Sequence, residues 1–396
     1  MPMHYFFQAG TFPALSYVEL IALFNIYNLN SDTIHRYSDN IFIIKSKEIS
    51  EETLLKIFNR SGGFVRFGHI INNLDSFLNE YIELKEKVVF GVSVLGSNRK
   101  GNLKYIKKLS NEIKRGLKGY GISSRFLIPS KEDTELNAAQ IINNDVLSKG
   151  FELLILKDNK EEIYAETLEI QDLEGYIERD MDRPYSDTEM GVLPPKLARM
   201  MVNYASMKEG IVWDPFCGSG TVLMESAVLG YNFLGSDINK DALKYSEENI
   251  LWLNERGYMG DVLYEIFEFD VKNPDKEKVK KLRNTNISAI VCEPFMGPPL
   301  KRAISHQHAQ QLLDEVKDLY INLFNTLDKK IGVRGVNMVM IIPSYKTDKG
   351  WKTFGIREVA SKRWELLNTQ YSPSRDLKWS RKNSIITRNI FILHRT

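Results

Sequence analysis

Residues 210–237 constrain the fold more than any other stretch of this chain. The apolar run Gly210-Ile211-Val212-Trp213 reads as a buried strand. It breaks at Asp214-Pro215-Phe216-Cys217-Gly218-Ser219-Gly220, and an amphipathic helix opens at Thr221. A strand, a glycine turn and a helix in that order form the first unit of a nucleotide-type α/β sheet, whose ligands lie at the carboxyl ends of the strands. Gly218 and Gly220 let backbone approach a ligand closely, and the first N–H groups of the helix are free to point at it. A second acidic strand end, Leu234-Gly235-Ser236-Asp237, follows 23 positions after Asp214. That is near the ~20-residue spacing of a carboxylate that holds a ribose diol.

Composition narrows the class without naming it. A length of 396 residues suits about two to three domains. No window approaches the ~20 apolar residues of a membrane span, and the start, Met1-Pro2-Met3-His4-Tyr5, lacks the basic region of a signal peptide. Cys217 and Cys292 are the only cysteines, too few for a disulfide framework or a zinc cluster, so a cytoplasmic protein without a metal site is expected. Net charge is only +2, but from Ser344 onward twelve Lys and Arg face four Asp and Glu. Within that stretch, Arg375, Lys378, Arg381 and Lys382 surround Trp379. Such a pattern suits phosphate contacts with an aromatic available for base stacking, or a strand edge guarded by cations.

Residues 1–85 predict a small α+β, ferredoxin-like unit. In it Ser16 caps a helix over 17–25 with Glu19 in the capping-box position. Strands at 40–45 and 64–67 flank a helix over 51–58. Residues 86–175 predict a second unit, with strands at 88–94, 124–128 and 151–156 and helices over 103–117 and 137–147. The 103–117 helix carries Lys104, Lys107, Lys108, Lys114 and Arg115, either a solvated face or an RNA-facing one. The polar stretch 176–188, which contains Pro184, predicts a linker. Residues 189–396 then alternate strands and helices as a doubly wound sheet does, and two strands at 336–342 and 384–393 close it.

Asp-Pro-Phe-Cys-Gly-Ser-Gly at 214–220 resembles motif I of amine-directed S-adenosylmethionine (SAM) methyltransferases. The likeness extends further. Arg183-Pro184-Tyr185 with Leu193-Pro194-Pro195-Lys196-Leu197-Ala198-Arg199 is similar to the lead-in segment of the tRNA guanine-N2 methyltransferases. Gly235-Ser236-Asp237-Ile238 is similar to their second motif, and Tyr5-Phe6-Phe7-Gln8-Ala9-Gly10 to their N-terminal start. The order of elements in 86–175, with Asn137-Ala138-Ala139-Gln140-Ile141, resembles a THUMP domain, which in that family grips tRNA. The resemblance implies a Rossmann-like methyltransferase half, a tRNA substrate and SAM as cofactor. It places Asp214 at the methionine ammonium, Asp237 at both ribose hydroxyls, and Phe216, Gly218, Gly220 and Ile238 around the cofactor. Asp270, after another strand-like run, is either an acceptor for the adenine amine or a turn residue.

The catalytic motif departs from the family. Strand 288–292 delivers Glu293-Pro294-Phe295-Met296-Gly297, where relatives carry Asp-Pro-Pro-Tyr-Gly. An exocyclic base amine shares its lone pair with the ring and is a poor nucleophile. A carboxylate from Glu293 and the backbone carbonyl of Pro294 would draw its hydrogens into the geometry needed for attack, and Phe295 would stack the extruded base. The expected function is methyl transfer to a base amine, N2 of guanine in tRNA. A DNA amine methyltransferase and a silent binder of SAM and RNA remain as alternatives. The sequence leaves the modified nucleotide, the oligomeric state and any partner subunit open.

Overall fold

The computed structural model describes residues 4–84, 87–96, 102–130, 133–158, 161–186, 192–371 and 377–396. Arg375 and the last residues of the expected linker, 187 and 188, lie outside them. Two compact units emerge, and neither follows chain order strictly. One comprises residues 1–13, 30–60 and 64–173; the other comprises 14–29, 61–63 and 174–396.

The first unit is built on one mixed sheet. Its strands are β1 (Tyr5–Ala9), β2 (Ile34–Arg36), β3 (Ile41–Ile44), β4 (Phe64–Ile71), β5 (Lys87–Leu95), β6 (Ser123–Leu127), β7 (Gly150–Lys157) and β8 (Glu162–Ile170). Their spatial order is β2-β3-β1-β4-β8-β7-β5-β6. Strands from residues 1–85 and 86–175, expected as separate units, therefore share a sheet, joined where β4 pairs antiparallel with β8. Aromatic packing of Phe7 against Phe64 and Phe67 fills one part of its core, with ring centroids 5.2 and 5.0 Å apart. Helix Asn102–Gly119 buries Ile106, Ser110, Ile113 and Leu117 at helical spacing and exposes its lysines. The helix expected over 137–147 is interrupted. Asn137 and Gln140 form a capping box for Ala138–Asn143, and the chain then turns at Asp145, whose φ is 52°.

The second unit carries the strands β9 (Ile211–Asp214), β10 (Asn232–Asp237), β11 (Tyr264–Glu268), β12 (Ile287–Cys292), β13 (Asn337–Thr347), β14 (Gly350–Lys352), β15 (Trp364–Leu366), β16 (Lys378–Trp379) and β17 (Ile386–Arg395). The order β11-β10-β9-β12-β13-β17-β15 runs parallel from β11 to β13, and β17 is antiparallel to both of its neighbours. This is a Rossmann-like sheet with one reversed strand near its edge. Chain order reverses at β9, which has β10 on one side and β12 on the other. A crevice for ligand forms at such a switch point.

Two local expectations fail for the same reason. The first helix begins at Pro13, not Tyr17, because proline is well suited to a first turn. Ser16 and Glu19 are consequently interior residues with tertiary partners. Ser16 Oγ donates to the Gly63 carbonyl at 2.8 Å. The fully buried Glu19 carboxylate accepts from the Gly62 and Gly63 N–H groups and from Asn203 Nδ2, each at 2.8 Å. Burial still raises its pKa, against the pull of those donors. Part of the stretch expected as a linker is also internal. Tyr176, Arg179 and Arg183 are buried, and Glu225 accepts from Arg179 Nε at 2.8 Å and from Arg199 Nε at 2.6 Å. The guanidinium carbons of both arginines lie over the Tyr176 ring, 4.7 and 5.4 Å from its centroid.

Candidate active site

Four carboxyl groups stand at successive ends of the parallel strands. Asp270 lies two residues past β11, Asp237 ends β10, Asp214 ends β9, and Glu293 directly follows β12. At ~4.8 Å between strands the row spans roughly 14 Å. A cavity of about 250 Å³ opens at its β9–β12 end. It gathers Asp214, Phe216, Gly218, Glu293, Pro294 and Phe295, all singled out by sequence. Gly220, Asp237, Ile238 and Asp270 are outside its lining.

Each acid has a distinct environment. Asp214 is 2 % exposed and accepts from the Phe216 N–H at 2.9 Å. Burial pushes its pKa well above the usual carboxylate value, and the charges of Asp237 and Glu293 add to that; the Phe216 N–H opposes it. Asp237 is already engaged at both oxygens, accepting from Gly218 N–H at 3.0 Å and Asn239 N–H at 2.9 Å. Its second lone pairs are what a diol would have to use. Asp270 is occupied by its own turn, accepting from Lys272 N–H at 2.8 Å and Asn273 Nδ2 at 3.3 Å. Ile238 is 62 % exposed beside Asp237.

The turn between β9 and its helix shows why glycine is needed. Gly218 has φ 52° and open space where a Cβ would be, whereas Gly220 has φ 86° and would set a Cβ 3.0 Å from Ser246 Oγ. At the catalytic motif Gly297 has φ 88°, and a Cβ there would meet the Tyr345 hydroxyl at 2.2 Å. That hydroxyl donates to the Met296 carbonyl and so fixes the motif's backbone. Pro294 is buried, but Phe295 is 52 % exposed, a large apolar ring left facing solvent beside two carboxylates.

Four site-associated residues were missed by sequence reasoning. Tyr245 lines the cavity and stacks on Tyr185 at 4.3 Å and 17°. Thr221, also in the lining, accepts from Arg183 Nη1 at 2.7 Å. Arg183 is 3 % exposed, and its Nε and Nη2 are buried without a hydrogen-bond partner among the described residues. Of the six buried arginines among the described residues, the other five (Arg66, Arg179, Arg199, Arg388 and Arg395) each have a carboxylate partner. The lead-in likeness at Arg183-Pro184-Tyr185 was the available signal for it. The fourth is Arg388, on β17, which grips Glu293 with Nε–Oε1 2.6 Å and Nη2–Oε2 3.2 Å.

Trp379, expected to be available for stacking on a base, is not. It is 9 % exposed and sits opposite Arg388 in the β16–β17 pair. The guanidinium carbons of Arg388 and Arg381 lie 5.0 and 6.0 Å from the centroid of its ring. Burial of indole area and two cation–π contacts hold it there. Among the described residues no group of three or more His, Cys, Asp or Glu converges on a metal position, and no helix is long and apolar enough to cross a membrane.

Sheet order and the strand-end acids define a Rossmann-like sheet, and similarity to curated methyltransferases gives the class, an S-adenosylmethionine-dependent methyltransferase. Residues 155–248 match a family model described as a DNA methylase. The tRNA (guanine(10)-N2)-dimethyltransferase of Methanocaldococcus jannaschii is 25% identical over 304 residues, 73% of this chain and 80% of that protein. Its counterpart in Methanothermobacter thermautotrophicus is 30% identical over 129 residues, 32% of this chain and 34% of that one. Among solved structures, TehB from Haemophilus influenzae aligns at TM-score 0.33 with 15% identity, over 61% of this chain and 72% of that one. The chain is thus a homologue of curated tRNA (guanine(10)-N2)-dimethyltransferases.

Proposed function

We propose that this protein transfers a methyl group to the N2 amine of a guanine in tRNA. The observation that carries the reading is the meeting, in one cavity, of the β9 glycine turn with Glu293, Pro294 and Phe295. The residues present fit SAM: the cavity lining offers the Asp214 carboxylate to a cation, a glycine turn for close backbone approach, and Thr221, which is held from behind by the buried Arg183. When bound, SAM supplies an electrophilic methyl on its sulfonium. Asp214 would accept from the methionine ammonium, Asp237 would take the ribose diol with its free lone pairs, and Asp270 would have only the lone pairs left over from its own turn to offer the adenine amine. Phe216 and Gly218 would wall the cavity, with Gly220 and Ile238 flanking it outside the lining.

On the substrate side, Glu293 and the Pro294 carbonyl accept from the amine hydrogens and turn the nitrogen lone pair toward the methyl. The exposed Phe295 ring stacks the base. Positioning of this kind supplies a large part of a two-substrate reaction's barrier reduction. The first unit, with its exposed lysine helix at 102–119, holds the RNA, and a cytoplasmic setting suits two free, buried thiols.

The test is transfer from labelled SAM to unmodified tRNA, with product nucleosides identified by mass spectrometry. N2-methylated guanosine is expected. Because the matching family model is described as a DNA methylase, duplex DNA is the competing substrate, and methylated adenine or cytosine in it would replace this reading. SAM binding without transfer to either would leave a silent binder.

A further inference from the structure

The substitution of glutamate for the family's aspartate at 293 comes with a structural partner. Arg388 lies on β17, two strands away from β12 in the sheet, and reaches past β13 to close a two-pronged pair on the Glu293 carboxylate. The side chains are 10% and 15% exposed, so water screens the pair little. Arg388 is itself held twice, by the β17 register opposite Pro343 and by the Trp379 face.

Glutamate has one more rotatable bond than aspartate, so its carboxylate would wander unless tethered. Methyl transfer requires the opposite, since a displacement of ~1 Å can cost about a hundredfold in rate. A fork-to-fork pair fixes both oxygens and the plane of the carboxylate together. Each carboxylate oxygen has two lone pairs, so the pair leaves acceptor capacity for an amine in the cavity. The guanidinium also brings a positive charge to a pocket where Asp214 and Glu293 oppose each other.

We propose that Arg388 is a positioning residue for methyl transfer: its pair with Glu293 replaces the shorter aspartate and sets the acceptor of the target amine. The proposal rests on the amine-methylation reading above, and the experiment separates the two. Turnover on tRNA, SAM affinity and crystal structures are compared for wild type, Arg388→Met, Arg388→Lys and Glu293→Asp. Arg388→Met is expected to lower kcat about a hundredfold with SAM Kd and the KM for tRNA within about twofold. Arg388→Lys recovers about tenfold of the loss, because a point charge holds one oxygen. Glu293→Asp, which restores the family residue, loses at least about tenfold, and adding it to Arg388→Met costs little more, since the two residues act as a unit.

In the Arg388→Met crystal the Glu293 carboxylate leaves its position or splits between conformers. Full kcat in Arg388→Met overturns the proposal, as does a loss that tracks a fallen unfolding midpoint and is not recovered by lysine. A Glu293 carboxylate unmoved in that crystal overturns it even if wild type shows no turnover. Absence of turnover in wild type with a displaced carboxylate instead counts against the tRNA reading and leaves the positioning role standing.

Discussion

Arg183→Met separates binding from folding, because the two effects should have opposite signs. The guanidinium is 3 % exposed, makes one strong hydrogen bond, to Thr221, and a long one to Met224 Sδ at 3.9 Å, and among the described residues leaves Nε and Nη2 without partners. Burial pushes its pKa down, and the charges of Asp180 and Glu225 only partly offset this. Removing the side chain loses one hydrogen bond worth about 1 kcal/mol. It also removes a buried charge without a carboxylate in contact, whose desolvation costs several kcal/mol. The free protein should therefore be no less stable, or slightly more so. If the SAM carboxylate completes the site, two charge-assisted hydrogen bonds at about 1.5–3 kcal/mol each are lost. After the ligand's own desolvation, about 3 kcal/mol remains, on the order of a hundredfold in Kd. The assay is SAM titration calorimetry with thermal unfolding with and without SAM. At a concentration giving wild type about 2.7 kcal/mol of ligand stabilisation, the variant should gain about 0.4 kcal/mol. An unchanged Kd, or a weakened Kd together with a markedly less stable free protein, would refute the reasoning.

Asp214 should make stability, and on the proposed reading SAM binding, depend on pH. Its folded pKa is raised by burial, so its contribution to stability is full below the unfolded carboxylate pKa and is lost as pH rises toward the folded value. The free Asp214→Asn protein should thus gain on wild type between acid and neutral pH, while its SAM affinity falls and loses its pH dependence. Denaturant midpoints across that range and SAM titrations in buffers of differing ionisation enthalpy check this; a pH-independent difference in midpoint would refute it. Glu225→Ala strips two buried arginines of their carboxylate and should cost about 3–5 kcal/mol by urea unfolding; a loss under about 1 kcal/mol would show that the arginines find other partners. Gly297→Ala forces a Cβ onto the Tyr345 hydroxyl and strains a left-handed residue by about 1–2 kcal/mol, so transfer should drop while SAM binding holds. Adding Tyr345→Phe should restore part of the loss, and no restoration would mean that the contact is not the cause.

Sequence was most readable where chemistry is local. Asp214, the glycine turn and Asp237 sit on consecutive elements, so spacing alone placed them at neighbouring strand ends. The strands at 64–71, 87–95 and 150–157 were visible in apolar runs because they are buried in the sheet. β8 was missed because its half-buried Glu-Ile-Tyr-Ala-Glu-Thr-Leu-Glu-Ile carries three acids. Pairings between distant residues were invisible. Glu293 and Arg388 are 95 positions apart, and a buried arginine reads in sequence like an exposed one. The same ambiguity turned Ser16 and Glu19 into a supposed cap and Trp379 into a supposed platform. In each case a side chain with an obvious local use was claimed by a partner far along the chain.

The first helix sets a timetable for synthesis. Glu19 and Leu15 leave the ribosome well before two of their partners, since Asn203 and Tyr204 follow 184 and 189 positions later. At roughly 5–20 residues per second, that helix waits on the order of ten to forty seconds before the last of the groups that satisfy its buried carboxylate exists. Throughout that interval its apolar face, with Leu20, Leu23 and Phe24 destined to be fully buried, is open to other chains. Expression of residues 174–396 alone would deprive that unit of a helix it counts as its own.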